Sequence, residues 1–236
     1  MPEWGKYFEG VGVTGTLVLY DLQKDQYKLH NPKRAKTGFI PASTFKIFNS
    51  LVGLESGAVK DAEDVFPWDS VQRSREVLNQ DHNMRSAFKH SVVWFYQEIA
   101  NRVGAEKMKQ FLSSAKFGNG DISRGLDMFW LEGGFRITPI AQVEFLKELY
   151  KEEVPFSERS IGIVKDIMIE EETSDYVLRA KTGWALKPIE IGWWIGWVER
   201  DDNVYFFALN IEISSNEDGK QRKEIVKKIL REEGIL

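Results

Sequence analysis

Three consecutive stretches toward the C-terminus, residues 176–184, 190–199 and 204–213, constrain the fold more than any other feature of the chain. Each is rich in β-branched and aromatic residues and is bounded by turn signals, the pattern of a strand. The connections between them are too short for helical crossovers, so the three strands are expected to lie side by side and antiparallel. A second pair is read near the start, residues 15–21 and 26–30, joined by a polar turn. Between these ends the apolar spacing is helical: 43–55 with Gly57 as its stop, then 91–103, 105–115 and 139–150 within a mostly helical region from about 59 to 150. Residues 160–170 read as another helix, and 219–233 as a closing amphipathic one. The fold class that follows is α+β, an antiparallel sheet built from both termini and flanked by helices, with an all-helical region inserted and a cleft where the two meet. No repeat, low-complexity tract or linker divides the chain, so residues 1–236 are expected to form one domain.

Composition narrows the function classes. Among 236 residues, 42% are hydrophobic and 29% charged, the balance of an ordinary globular chain and not of a disordered one. The net charge of -4 argues against nucleic acid as a partner, and the lysines near 220–228 are interrupted by Glu224 in the manner of a solvated helix face. Having no cysteine, the chain can form neither disulfides nor zinc thiolate sites and has no thiol nucleophile. No apolar run approaches the roughly 20 residues needed to span a bilayer. The opening Met1-Pro2-Glu3-Trp4 does not read as a signal peptide, which leaves a cytosolic protein or a mature form without its export signal.

Gly10-Val11-Gly12-Val13-Thr14-Gly15 fits G-x-G-x-x-G, but a dinucleotide site needs those glycines after a strand and opening a helix. Here they precede a strand, and the segment reads as a glycine-rich entry to it. Ser43-Thr44-Phe45-Lys46 is more telling. Residues three apart on a helix share a face and lie about 5–6 Å apart, so Lys46 can reach the Ser43 hydroxyl. The alternative is an N-cap serine followed by a solvated lysine. Lys46, however, is set among Phe45, Ile47 and Phe48, and a lysine desolvated by such neighbours has a lowered pKa and can act as a base. Lys181-Thr182-Gly183 at the end of a strand suits an anionic acyl substrate, although alone it would read as a turn entry. S-x-x-K followed by K-T-G is the joint signal of serine acylases of the penicillin-recognising type. A proton-relaying serine is expected between them, and Ser91-Val92-Val93 occupies that place, read as opening a helix. It is not the S-D-N of class A enzymes, and Glu76-Val77-Leu78-Asn79, which resembles their glutamate loop, precedes Ser91 and is out of order. The base must lie elsewhere, and Lys46 is the candidate.

With these motifs the chain resembles the class D (oxacillinase-type) serine β-lactamases from about Trp4 to the C-terminus. The resemblance rests on Pro41-Ala42-Ser43-Thr44-Phe45-Lys46, Ser91-Val92-Val93-Trp94-Phe95-Tyr96-Gln97, Phe117-Gly118-Asn119, Phe129-Trp130-Leu131-Glu132-Gly133 and Lys181-Thr182-Gly183-Trp184. It implies hydrolysis of a β-lactam through an acyl-enzyme on Ser43. Lys46 would carry carbon dioxide as a carbamate base, walled by Val93 and Leu131 and hydrogen-bonded by the indole N–H of Trp130. Ser91 would pass a proton to the leaving nitrogen. The backbone N–H groups of Ser43 and Trp184 would form the oxyanion hole, while Lys181, Thr182 and Arg222 would hold the substrate carboxylate, with Lys220 or Lys223 as substitutes for Arg222. No metal or dissociable cofactor is implied. A periplasmic or secreted location is. Two departures stand out: Phe117 where the family usually has tyrosine, and Ser70 where it usually has glycine. The rival readings are a penicillin-sensing receptor domain that stays acylated, and a cell-wall transpeptidase or carboxypeptidase. Sensors tend to have a polar asparagine at the position of Val93, which favours turnover here.

Overall fold

A computed structural model of the chain describes residues 3–186 and 189–236. Its sheet has six strands, β1 (Gly15–Asp21), β2 (Gln26–His30), β3 (Ile169–Glu172), β4 (Tyr176–Ala185), β5 (Ile191–Arg200) and β6 (Asn203–Glu212), in the order β2-β1-β6-β5-β4-β3. Every neighbouring pair is antiparallel, and β1 pairs with β6 so that Val18 lies opposite Ala208, joining the two ends of the chain. The expected sheet from both termini is what the chain forms.

Around the sheet lie α1 (Gly5–Glu9), α2 (Pro32–Ala35), α3 (Lys46–Glu55), α4 (Met84–His90), α5 (Val93–Val103), α6 (Ala105–Ser114), α7 (Pro139–Lys151), α8 (Glu158–Ile167) and α9 (Asn216–Glu232). Both faces of the central strands are covered, which is why β5 and β6 read as continuous apolar runs instead of alternating ones. Alternation survives in where the side chains go. Trp193, Ile195, Trp197, Phe206 and Ala208 join the core shared with α3, α5 and α7, while Trp194, Val198, Phe207, Leu209 and Ile211 meet Ile225, Val226 and Ile229 of α9.

Three expectations need correction. The segment 160–170 is not one helix: α8 ends at Ile167, and Ile169–Glu172 becomes the edge strand β3, pairing with β4. Four residues of Ile and Glu carry little strand signal, and only the neighbouring edge of β4 recruits them. The region 59–150 is less helical than expected, because residues 59–83 and 115–138 are mostly turns and irregular chain. Finally, α7 belongs to the layer on the sheet, where Tyr150 packs edge-on against Trp197 and Phe206, not to a separate helical insert. Among the described residues no helix is long and apolar enough to cross a membrane.

Candidate active site

Ser43 sits in a 3-10 turn, Ala42–Phe45, that runs directly into α3 at Lys46. Ala42, fully buried, has φ 50, a left-handed conformation that costs a residue with a Cβ roughly 1–2 kcal/mol. Its neighbours hold it there. The Ala42 N–H donates to the Trp130 carbonyl at 2.9 Å, and the Thr44 hydroxyl donates to the Pro41 carbonyl at 2.8 Å while accepting from Gln142 Nε2 at 2.9 Å. The turn before the nucleophile is thus imposed by tertiary contacts.

Lys46 donates from Nζ to Ser43 Oγ at 2.9 Å. Its side chain is 0% exposed, and among the described residues no carboxylate pairs with it. Instead the ring of Tyr96 lies 5.3 Å from Nζ, and Phe45 stacks on Trp130 with centroids 5.2 Å apart. Burial drives the Lys46 pKa well below the ordinary 10.5, and the nearby Lys181 charge pushes the same way. The Ser50 hydroxyl donates to the Lys46 carbonyl at 2.7 Å and lies 3.0 Å from the Tyr96 hydroxyl, a buried pair that fixes this turn of α3 against α5.

Ser91 does not open a helix. It is the C-cap of α4, with φ 58, and α5 begins two residues later at Val93. A left-handed residue between two helices looks from sequence like an N-cap, because serine suits that role and the chain resumes helical spacing at once. The corner brings the Ser91 hydroxyl within 3.2 Å of Lys181 Nζ, which also donates to the Thr182 carbonyl at 3.1 Å. Lys181 is 4% exposed, and burial lowers its pKa to about 7. Glu170 on β3 acts in the opposite direction, while Lys223, Arg222 and Arg75 reinforce the lowering.

Val93 and Tyr96 lie one turn apart on α5, and Val93 is half-buried. Trp130 is fully buried, Leu131 is half-buried against the same core, and the Trp130 indole Nε1 has no hydrogen-bond partner among the described residues. That orphan is notable because a buried indole N–H ordinarily finds an acceptor. Gly183 fits closely against the nucleophile turn. A Cβ there would lie 2.9 Å from the Pro41 carbonyl oxygen and 3.2 Å from the Thr44 nitrogen, so only glycine lets β4 back onto the nucleophile turn. Thr182 and Trp184 flank it, both half-buried.

Of the three cations near 222, Lys220 pairs with Glu217 and Lys223 with Glu170. Arg222 is the one that reaches β4, donating from Nη1 to the Gly183 carbonyl at 2.5 Å and from Nε to the Gly219 carbonyl at 2.6 Å. The Glu76–Leu78 segment is a partly exposed 3-10 turn preceding α4. Gly10–Gly15 follows α1 and enters β1, as a strand entry. Sequence reasoning quoted Ala42 and Tyr96 within its motifs without giving either a task, and it missed Glu170. Glycine-like backbone at an alanine, and a carboxylate brought in by the unexpected strand β3, leave no local signal.

The chain matches the penicillin binding protein transpeptidase domain family over residues 15–231. It is 45% identical to beta-lactamase OXA-48 of Klebsiella pneumoniae over 99% of this chain and 88% of that protein. Against a protein named probable beta-lactamase YbxI of Bacillus subtilis (strain 168), identity is 42% over 94% of this chain and 82% of that one. Among solved structures, a class D beta-lactamase YbXI from Nostoc superposes with a TM-score of 0.97 at 45% identity, covering 99% of both chains. The class D enzyme FUS-1 (OXA-85) from Fusobacterium nucleatum subsp. polymorphum superposes with a TM-score of 0.96 at 38% identity, covering 99% of this chain and 98% of that one.

Proposed function

The chain belongs to the class D serine β-lactamases, and on that premise we propose that it hydrolyses β-lactams through an acyl-enzyme on Ser43, with the base supplied at Lys46. One observation carries the reading: a lysine fully removed from water, without a carboxylate partner, 2.9 Å from the nucleophile.

Ser43 Oγ attacks the lactam carbonyl and loses its proton toward the Lys46 side chain. Developing negative charge on the carbonyl oxygen is met by the backbone N–H groups of Ser43 and Trp184, each such donor being worth about 3–4 kcal/mol in comparable enzymes. Ser91 delivers a proton to the leaving nitrogen, and Lys181, 3.2 Å from its hydroxyl, replaces that proton. Lys181, Thr182 and Arg222 hold the substrate carboxylate. Water then enters to release the acyl group.

The family implies a carbamate on Lys46, and the surrounding residues fit one. An amine kept neutral by burial can add to carbon dioxide, the Trp130 Nε1 donor lacks an acceptor among the described residues, and the half-buried Val93 and Leu131 would supply apolar surface to the group. When present, that group supplies the carboxylate-type base that class A enzymes take from glutamate. Lys46 would carry it, the Trp130 N–H would hold it, and Val93 with Leu131 would give it apolar walls. Such an enzyme acts where β-lactams are met, in the periplasm or outside the cell.

The experiment is to add a penicillin and follow intact mass and substrate loss together, with and without bicarbonate. Turnover that rises with bicarbonate at low pH, through a transient adduct on Ser43, is the expected result. A stable adduct without turnover would make the chain a sensor domain and overturn the hydrolase reading.

A further inference from the structure

The peptide unit between Gly183 and Trp184 contributes the N–H assigned above to the oxyanion hole, and both ends of that unit are held by side chains, Arg222 at one and Glu190 at the other. Arg222 Nη1 donates to its carbonyl, that of Gly183, at 2.5 Å. A hydrogen bond accepted at the C=O polarises the whole amide and strengthens its N–H as a donor. The other end is fixed through the indole. Trp184 Nε1 donates to Glu190 Oε2 at 3.0 Å across the β4–β5 connection. The far edge of the ring lies against α9 where Gly219 leaves room; a Cβ there would come within 2.5 Å of Trp184 Cζ3. The Arg222 guanidinium lies 5.2 Å from the ring centroid. Gly192, paired with Trp184 in the ladder, is likewise bare where a Cβ would meet Arg222 Cδ at 2.8 Å.

We propose that Glu190 is a positioning residue for catalysis: by anchoring the Trp184 indole against Gly219 and Arg222, it fixes the Gly183–Trp184 peptide in the orientation that donates to the oxyanion. This rests on the reading of Trp184 N–H as an oxyanion donor. It also gives Arg222 a task beyond the substrate carboxylate, since its hydrogen bonds to the Gly183 and Gly219 carbonyls exist before any substrate arrives. Trp184 contributes its side chain as well as its backbone. A carboxylate partner is not required in principle, because the indole needs only an acceptor, so glutamine at 190 should serve and alanine should not.

The test compares wild type, Glu190→Ala and Glu190→Gln in reaction with a slowly hydrolysed penicillin. Intact mass reads acylation of Ser43, infrared difference spectroscopy reads the acyl ester C=O stretch, and steady-state kinetics separate kcat from KM. Glu190→Ala should lower kcat about tenfold, part of the 10²–10³ that loss of a whole donor costs, with KM little changed. Its acyl C=O stretch should move to higher frequency, and Glu190→Gln should keep the wild-type frequency. An unchanged stretch in Glu190→Ala, or a Gln variant that behaves like Ala, overturns the proposal, since a purely structural role would lower stability and leave the carbonyl untouched. Should Glu190→Ala not fold, Trp184→Phe removes the same donor from the other side and should shift the stretch in the same direction. If even wild type forms no adduct on Ser43, it is the enzymatic reading that fails, not the brace.

Discussion

On the helical side of the cleft Lys46 enters the core with Nζ donating to Ser43 and aromatic rings around it. On the strand side Lys181 is nearly as buried, yet it has the Ser91 hydroxyl, the Thr182 carbonyl and the charge of Glu170 within its field. Both lysines are pushed below the ordinary value by burial: the Lys181 charge adds to the lowering at Lys46, while Lys181 comes to about 7, with Glu170 opposing the lowering and Lys223, Arg222 and Arg75 adding to it. Two identical side chains, one against Ser43 and one against Ser91, therefore take different work. The one without a counter-charge is kept available as a base, and the one with a distant carboxylate remains able to carry a proton and to attract an anion.

The largest effects should come from exchanging these roles. Lys46→Ala is expected to lower turnover by about 10³-fold, within the range for loss of a general base, and to leave a persistent adduct visible by intact mass. Lys181→Ala should instead raise KM and slow acylation, by about 10–100-fold in kcat/KM. If the two variants gave the same split between kcat and KM, the contrast would be wrong.

Next in size is Trp130→Phe, which keeps the aromatic body but deletes the unpartnered N–H. A supporting group of this kind is worth about 10–100-fold in activity. The loss should shrink as bicarbonate is raised, and a loss indifferent to bicarbonate would detach Trp130 from Lys46.

The pH dependence sharpens the comparison further. Lys181 titrates near 7, so its cationic form and kcat/KM for carboxylate-bearing substrates should decline as pH rises above that value. Stability should move the other way. Both lysines have folded-state values below 10.5, so the unfolded chain binds more protons between about 7 and 10.5 and stability rises with pH across that window, by at most about 1.4 kcal/mol per pH unit for each group. Urea unfolding at pH 7, 8 and 9 should show that slope, and Lys46→Met should flatten it. A flat profile in wild type would mean that neither lysine is discharged by folding.

The smallest effect is a control that touches neither lysine. Ser70, exposed and at φ 61, stands where the family usually has glycine, and Ser70→Gly should add about 0.5–1 kcal/mol of stability with kcat unchanged. Thermal unfolding measures it.

Much of this was legible in the chain itself. Strands β1 and β2 fall on the expected residues, and β4, β5 and β6 within a residue or two, because β-branched and aromatic content and turn chemistry are local properties. The S-x-x-K spacing predicted a lysine against a serine, and the two lie in hydrogen-bond contact. What went astray was decided at long range. Strand β3 exists because β4 offers an edge, and Ser91 turns left-handed because α4 and α5 meet there.

The sequence by itself determined which chemistry is available, since hydroxyl, amine and glycine at set intervals along one helix and one strand are covalent facts. It also determined the sheet, through patterns no longer than a strand. Tertiary structure alone decided how those groups are tuned. Removal of Lys46 from water takes rings from α3, α5 and the loop bearing Trp130, and the charge balance at Lys181 takes Glu170 from a strand that pairs beside it. Desolvation and Coulomb forces depend on distance in space, and distance in space is not written in any short stretch of chain.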